Sequence, residues 1–403
     1  MLILIPCTAL CDCGSGITSP KVTRNVNTNS LCTLTAPEID RVRSNRFNGC
    51  MKIISNPYRG TSIASQTLAD IPFPSVNADA PTALLARCPA SFVTPLIDAR
   101  DLAADLGIAA LAVKDERTRM GLGSFKALGA AYVIAHLADQ AGGPRETALK
   151  GQTFITASAG NHGLSVAAGA TVFGARSVVY LSETVPENFA ARLAGKGADV
   201  RRAGADYEAS MQAALDAADA NGWTLLSDSS WPGYTVLPHR LMEGYLALAD
   251  EAERQILQPP THVFLQAGVG GLAGAVAALA RARWGDAPQI IVVEPDFAPA
   301  LAASITAGEP VVAQGPVSSM GRLDCKEPSL IALRGLSRDA DYFMTITEDE
   351  AEAAMPVLSQ HGLATTPSGG AGLAGLIAAV AEGHPGLNSE ARVLTILSEE
   401  PQP

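Results

Sequence analysis

Beyond Asn56 the chain alternates short runs of valine, isoleucine and leucine with longer alanine-rich runs of helical period. Ser177–Leu181 predicts a strand and Pro186–Leu193 the helix after it. Asp199–Arg202 predicts a further short strand, followed by a helix over Tyr207–Ala220 that the pair Asn221-Gly222 ends, since both residues accept the left-handed backbone of a helix terminus. Thr224-Leu225-Leu226 then leads to Asp228. The same strand, tight loop, helix pattern recurs where Thr153–Thr156 precedes the run Leu164–Phe173, and where His262–Leu265 precedes Ala275–Ala282. Ile290–Val293 and Val393–Leu397 read as further buried strands. Short apolar strands alternating with helices argue βαβ units and a mainly parallel sheet, an α/β class. A chain of 403 residues exceeds the size at which one core stops growing, so two lobes are expected. Residues 127–239 carry their own strand and helix series and predict the small lobe. Residues 51–126 with 240–403 predict the large one, with a cleft between them.

Composition narrows the function. The 47% hydrophobic content is that of an ordinary globular chain. A formal net charge of −11 with no cluster of lysine and arginine repels phosphate backbones and argues against nucleic acid. Glycine, proline or charge interrupts every apolar run before about 18 residues, so no membrane span is expected. Five cysteines, Cys7, Cys11, Cys13, Cys32 and Cys50, lie in the first fifty residues, in a spacing that is not a usual zinc pattern, and no metal is expected. That segment is rich in Thr, Asn and Ser without periodicity, and it opens on Met-Leu-Ile-Leu-Ile-Pro, which lacks the basic start and long apolar core of a secretory signal. Residues 1 to 50 are therefore expected to be a disordered or mis-started extension, with Met51 as the true start. Cys88 and Cys325, the remaining two, fit a reducing cytoplasm.

Four features carry candidate chemistry. In Gly123-Ser124-Phe125-Lys126-Ala127-Leu128-Gly129-Ala130-Ala131-Tyr132 one lysine stands among small and apolar residues, where burial should lower its pKa toward the range in which a free amine attacks carbonyls; a single snorkelling lysine on an amphipathic helix is the plainer reading. Thr156-Ala157-Ser158-Ala159-Gly160-Asn161-His162-Gly163 opens a helix, where exposed N–H groups gather anions and an asparagine can donate to a phenolic oxygen, or where it serves as a simple cap and turn. Gln266-Ala267-Gly268-Val269-Gly270-Gly271-Leu272-Ala273-Gly274 lets backbone amides close on a phosphate. Because Glu294 ends the strand after it, this loop also reads loosely as a dinucleotide fingerprint of a nicotinamide-dependent dehydrogenase. Ser398 stands at the carboxyl end of the last strand, where open α/β sheets bind ligands.

Taken in order, the lysine, the asparagine loop, the glycine loop and the terminal serine resemble the fold-type II, tryptophan synthase β-like, pyridoxal-phosphate enzymes. Within that group the chain is similar to the diaminopropionate ammonia-lyases from about Tyr58 to Ser398. The resemblance rests on Asn56-Pro57-Tyr58-Arg59, Thr94-Pro95-Leu96, Val113-Lys114-Asp115-Glu116 with Arg119, Trp231-Pro232-Gly233-Tyr234-Thr235, Val293-Glu294-Pro295 and Leu323-Asp324-Cys325-Lys326-Glu327-Pro328, beside the loops above. It implies a two-lobed, three-layer αβα fold and pyridoxal 5′-phosphate as cofactor. Lys126 would carry the cofactor as a Schiff base and act as base at the substrate α-carbon. Asn161 would donate to the pyridine 3′-oxygen, the backbone of Gly268, Val269, Gly270 and Gly271 would bind the phosphate, and Ser398 would face the pyridine nitrogen. Asp228 matches a family carboxylate near the substrate's distal amine; a turn or helix-cap aspartate is its plainer reading. His162 reads either as a proton relay or as a satisfied loop histidine, and Cys325 as an ordinary buried thiol.

The implied reaction is α,β-elimination from a small β-substituted L-amino acid, 2,3-diaminopropionate first, to a 2-oxo acid and ammonia, in a cytoplasmic homodimer. One departure stands out. The ammonia-lyases carry Asp-Gly-Asn-His-Gly, whose aspartate serves the D-isomer from the opposite face, and here Ala159 takes its place. A β-hydroxy amino acid dehydratase is therefore the near alternative; a dehydrogenase and a non-catalytic cofactor-binding homologue are the distant ones.

Overall fold

The computed structural model describes residues 51–401, so the expectation for residues 1 to 50 lies outside the described part. The strands are β1 Lys52–Ser55, β2 Leu96–Asp98, β3 Ala110–Asp115, β4 Thr153–Ala157, β5 Arg176–Leu181, β6 Ala198–Arg202, β7 Thr224–Leu225, β8 His262–Gln266, β9 Gln289–Pro295, β10 Tyr342–Ile346 and β11 Arg392–Leu397. They form a seven-stranded sheet in the order β1-β10-β9-β8-β11-β3-β2 and a four-stranded sheet in the order β6-β5-β4-β7. All pairs in the smaller sheet are parallel. In the larger one only the two edges, β1 on β10 and β2 on β3, run antiparallel. Parallel strands need helical crossovers that cover both faces, which is why β4, β8 and β9 are buried along nearly their whole length instead of alternating.

The α/β class and the order of elements agree with the sequence pattern. The helix Tyr207–Asn221 ends as its sequence requires, with Gly222 in the left-handed region at φ 64°. Two helices begin earlier than the apolar periodicity indicates, at Asn161 and at Gly271. Each loop read as a candidate ligand site is thus itself a helix N-terminus. Neither helix has a side-chain cap, so first-turn N–H groups that are normally bonded by a serine or aspartate are left facing the carboxyl ends of β4 and β8.

The last strand of the chain lies inside the sheet. β11 pairs with β8 on one side and β3 on the other, and Leu394, Ile396 and Leu397 are buried. The segment just after it, Ser398 and Glu399, is delivered to the middle of the sheet's carboxyl edge, beside the N-termini of the Asn161 and Gly271 helices.

Candidate active site

Ser124 ends an extended stretch and its hydroxyl accepts from the Lys126 N–H at 3.3 Å, starting a single 3-10 turn over Phe125–Leu128. The turn is anchored to the end of β11, where the Phe125 N–H donates to the Ser398 carbonyl at 3.1 Å. Upstream, a buried ion cluster fixes the approach. The Arg119 guanidinium grips Glu116 from two nitrogens at 2.7 and 2.8 Å, and Arg119 and Lys114 both reach Glu251 at 2.7 Å. Two cations face two carboxylates there, and the Thr94 hydroxyl donates to Glu116 at 2.6 Å. Balanced charge with several hydrogen bonds is what makes such burial tolerable.

The Lys126 ammonium lies 2.5 Å from Asp228 Oδ2, and each side chain is 22% exposed. The aromatic rings of Phe125 and Tyr245 flank the nitrogen at 5.4 and 6.0 Å. This corrects the expectation of a depressed lysine pKa. Burial does act to lower it, but the Asp228 charge and hydrogen bond more than offset burial, and the amine is held above the ordinary lysine range. Burial likewise pushes Asp228 up, and the Lys126 charge and hydrogen bond bring it below the ordinary carboxylate range. In the structure the two groups are an ion pair, not a neutral amine beside a carboxylate.

Asn161 is the first helical residue and is 9% exposed. Its Nδ2 donates to Glu399 Oε2 at 2.6 Å. Neighbouring His162 is tied by Nε2 to the Leu226 carbonyl at 2.9 Å; burial lowers its pKa, which leaves a neutral ring fastened to the backbone. Ala159 packs against the apolar cluster of Leu164, Val179, Leu181, Ala190 and Leu193. The glycine loop comes within reach of the same place. A Cβ at Gly271 would lie 3.9 Å from the Asp228 carbonyl, and one at Gly268 would lie 3.0 Å from Cys325 Sγ and 3.2 Å from the Arg322 carbonyl. Gly270 has φ +94°, a backbone that only glycine adopts freely, and it is the residue that turns the chain into the helix. Contacts thus bring Lys126, Asp228, Asn161, Ser398 and the loop Gly268, Val269, Gly270 and Gly271 close together from segments far apart in the chain.

Two sequence expectations change. Cys325 is half-buried, not fully so, and it faces the glycine loop; burial pushes its thiol up to about 12, which makes it inert near neutrality. Glu294 is fully buried and accepts the Leu301 and Ala302 N–H groups at 2.8 Å each, capping the helix Ala300–Ala307. Burial raises its pKa to about 8, against the pull of those two bonds. A carboxylate used up on a helix start cannot hold a ribose, so the dinucleotide reading fails.

Residues 89–399 match the family model described as "Pyridoxal-phosphate dependent enzyme". The chain belongs to that family. A "Diaminopropionate ammonia-lyase" of Escherichia coli (strain K12) is 34% identical over 337 residues, covering 76% of this chain and 84% of that protein. A crystal structure of the Escherichia coli diaminopropionate ammonia lyase in complex with D-serine superposes with a TM-score of 0.76 at 30% identity, covering 87% of this chain and 94% of the other. A human "Serine dehydratase-like" protein is 28% identical over 291 residues, 72% of this chain and 82% of its own. The residues of the cleft fit pyridoxal phosphate: an amine for its aldehyde, uncapped helix N-termini for its phosphate, and an amide donor for its phenolic oxygen.

The sequence reading missed Glu399, Arg322, Thr366 and Tyr245. Thr366-Pro367 is a helix-start signal that could have been found: Thr366 caps the helix Pro367–Ala381. Nothing local marks the other three.

Proposed function

We propose that this chain is a pyridoxal-phosphate-dependent ammonia-lyase acting on a small β-substituted L-amino acid, with 2,3-diaminopropionate as first substrate, pyruvate and two ammonia as products. The observation that carries this is the Lys126–Asp228 ion pair at the junction of two uncapped helix N-termini. When bound, the cofactor supplies an electron sink that acidifies the substrate α-carbon. Lys126 would hold the cofactor and then act as the base that takes the α-proton, and the departing β-amine takes up a proton as it leaves. Asp228, paired with one ammonium in the structure, receives a second when Lys126 is engaged: the distal ammonium of the substrate. Gly268, Val269, Gly270 and Gly271 present backbone N–H groups and helix dipole to the phosphate. Asn161 donates to the phenolic oxygen. Ser398 offers a neutral hydroxyl to the pyridine nitrogen, which leaves that nitrogen largely unprotonated and suits loss of a β-substituent.

The two lobes, residues 127–239 against 51–126 with 240–403, would form the walls of the cleft. The working unit in this reading is a homodimer in the cytoplasm. Cys88 and Cys325, both unpaired, support a reducing compartment, and no helix among the described residues is long and apolar enough to cross a membrane. The second reading, a β-hydroxy amino acid dehydratase, is favoured by Ala159 in its apolar pocket and by the serine dehydratase-like relative. Incubating the purified enzyme with 2,3-diaminopropionate, L-serine and L-threonine and quantifying 2-oxo acid and ammonia tests both. Two ammonia per pyruvate, at a kcat/KM at least about tenfold above serine, is the expected result; a preference for serine would move the assignment to the dehydratase.

Gly270→Ala should strain the left-handed turn by about 1–3 kcal/mol and crowd Ala332 and Leu301, which an added Cβ would meet at 3.0 and 3.1 Å. Because the strained residue sets the direction of the amides, cofactor dissociation should rise about tenfold or more. Equilibrium titration with pyridoxal phosphate, alongside melting of the cofactor-free protein, separates that loss from the loss of stability.

A further inference from the structure

Glu399 is 3% exposed, and four segments hold it. Thr366 Oγ1 donates to its Oε1. Its Oε2 lies 2.8 Å from Arg322 Nε and accepts from Asn161 Nδ2 at 2.6 Å. Its backbone pairs with Ser124, two residues before Lys126, and its carbonyl accepts from the Thr365 hydroxyl at 2.6 Å. A carboxylate removed from water this far is costly unless it is used. Burial acts to raise its pKa, and the Arg322 charge, the Thr366 hydroxyl and the Asn161 amide all favour the ionised form.

The end of an asparagine side chain is nearly symmetric in shape but not in chemistry: one side donates two hydrogens, the other only accepts. An ionised carboxylate only accepts, so it selects the nitrogen side and fixes the amide plane. One N–H is spent on Glu399 and the second is left for another acceptor. An ionised phenolic oxygen needs such a donor, and the opposite amide orientation would set two acceptors face to face. We propose that Glu399 is the positioning residue for Asn161: it locks the amide so that an N–H is presented to the cofactor's phenolic oxygen. This rests on the assignment of Asn161 to that oxygen made above, and it adds a residue to the site that acts only through Asn161. The consequence is spectroscopic, because a well-placed donor stabilises the ionised oxygen and lowers the pH at which the bound cofactor's absorbance changes.

Removing Glu399 also removes a charge, so the informative comparison is between two neutral replacements of similar length. Glu399→Gln keeps a carbonyl acceptor for Asn161, and Glu399→Met keeps the packing without it. In holoenzyme titrated by absorbance, the midpoint of Glu399→Met should lie about one pH unit above that of Glu399→Gln. Placed in an Asn161→Ala background, the two should coincide, since the residue acts through the missing amide. Equal midpoints in the parent background overturn the proposal. If Asn161→Ala alone leaves the midpoint of the parent unchanged, the assignment of Asn161 fails and the proposal falls with it; a shift there with none between Gln and Met refutes the role of Glu399 alone. Should Glu399→Met not fold, Glu399→Ala takes its place. A cofactor-free measurement stands beside these: the Asn161 side-chain amide protons, assigned in the NMR spectrum by their loss in Asn161→Ala, should move on Glu399→Gln, and an unmoved pair overturns the proposal.

Discussion

Lys126→Ala should reduce turnover by about three orders of magnitude or more, since it removes the group proposed both to take the α-proton and to anchor the cofactor. Borohydride reduction of the parent holoenzyme followed by peptide mapping should put the pyridoxyl label on Lys126; a label on any other lysine would end the assignment. The cofactor-free protein supplies a second readout, because Lys126 is also the counter-ion of Asp228. Asp228 is depressed in the folded state, so its contribution to stability is present above the unfolded carboxylate value, near pH 4, and is lost as pH falls below it. Lys126 is raised, so its contribution is present below the unfolded lysine value, near pH 10, and is lost as pH climbs past it. The melting temperature of parent minus Lys126→Ala should therefore be flat and positive between those limits and shrink at both ends. Thermal scans across pH measure it, and a difference that ignores pH would show that the pair adds nothing to the fold.

Asp228→Asn should cost 2,3-diaminopropionate about a hundredfold in kcat/KM and L-serine far less, because only the former brings a second ammonium to the carboxylate. Enantiomer choice is tied to the same site. With Ala159 set in an apolar cluster, no carboxylate occupies that position on the asparagine loop, and Lys126 remains the one assigned base. The L-form should be consumed and the D-form left untouched. Rates for both enantiomers and both substrates, on parent and variant, decide the matter. Comparable D-isomer turnover would refute the single-base mechanism, and an equal loss on serine would refute the role of Asp228.

The strand, loop, helix units were legible because their signals are local: an apolar run, glycines or an Asn-Gly pair, then helical period. The candidate residues were legible for the same reason, each standing in a short motif. What could not be read is what those residues touch. Lys126 was expected to be an amine with a lowered pKa because a sequence displays the apolar neighbours that desolvate it and hides a carboxylate on a distant segment. Glu294 leaves a second reading open for the converse reason: an acidic residue after a strand suits a ribose, and only the fold shows the helix start that consumes it. Glu399, one residue beyond Ser398, carried no motif, since its meaning lies wholly in Asn161, Arg322 and Thr366.

The central place of β11 has a consequence for how the molecule is made. During synthesis Lys126 and both candidate loops leave the ribosome well before the strand that must separate β8 from β3. Until Arg392–Leu397 emerges, those two strands present open edges to one another and to other nascent chains, the kind of surface on which chaperones act. The Phe125 and Asn161 anchors on Ser398 and Glu399 are missing for just as long. A half-made chain thus carries Lys126 without its surroundings, and the candidate site is completed in one late step, when β11 is threaded into the sheet.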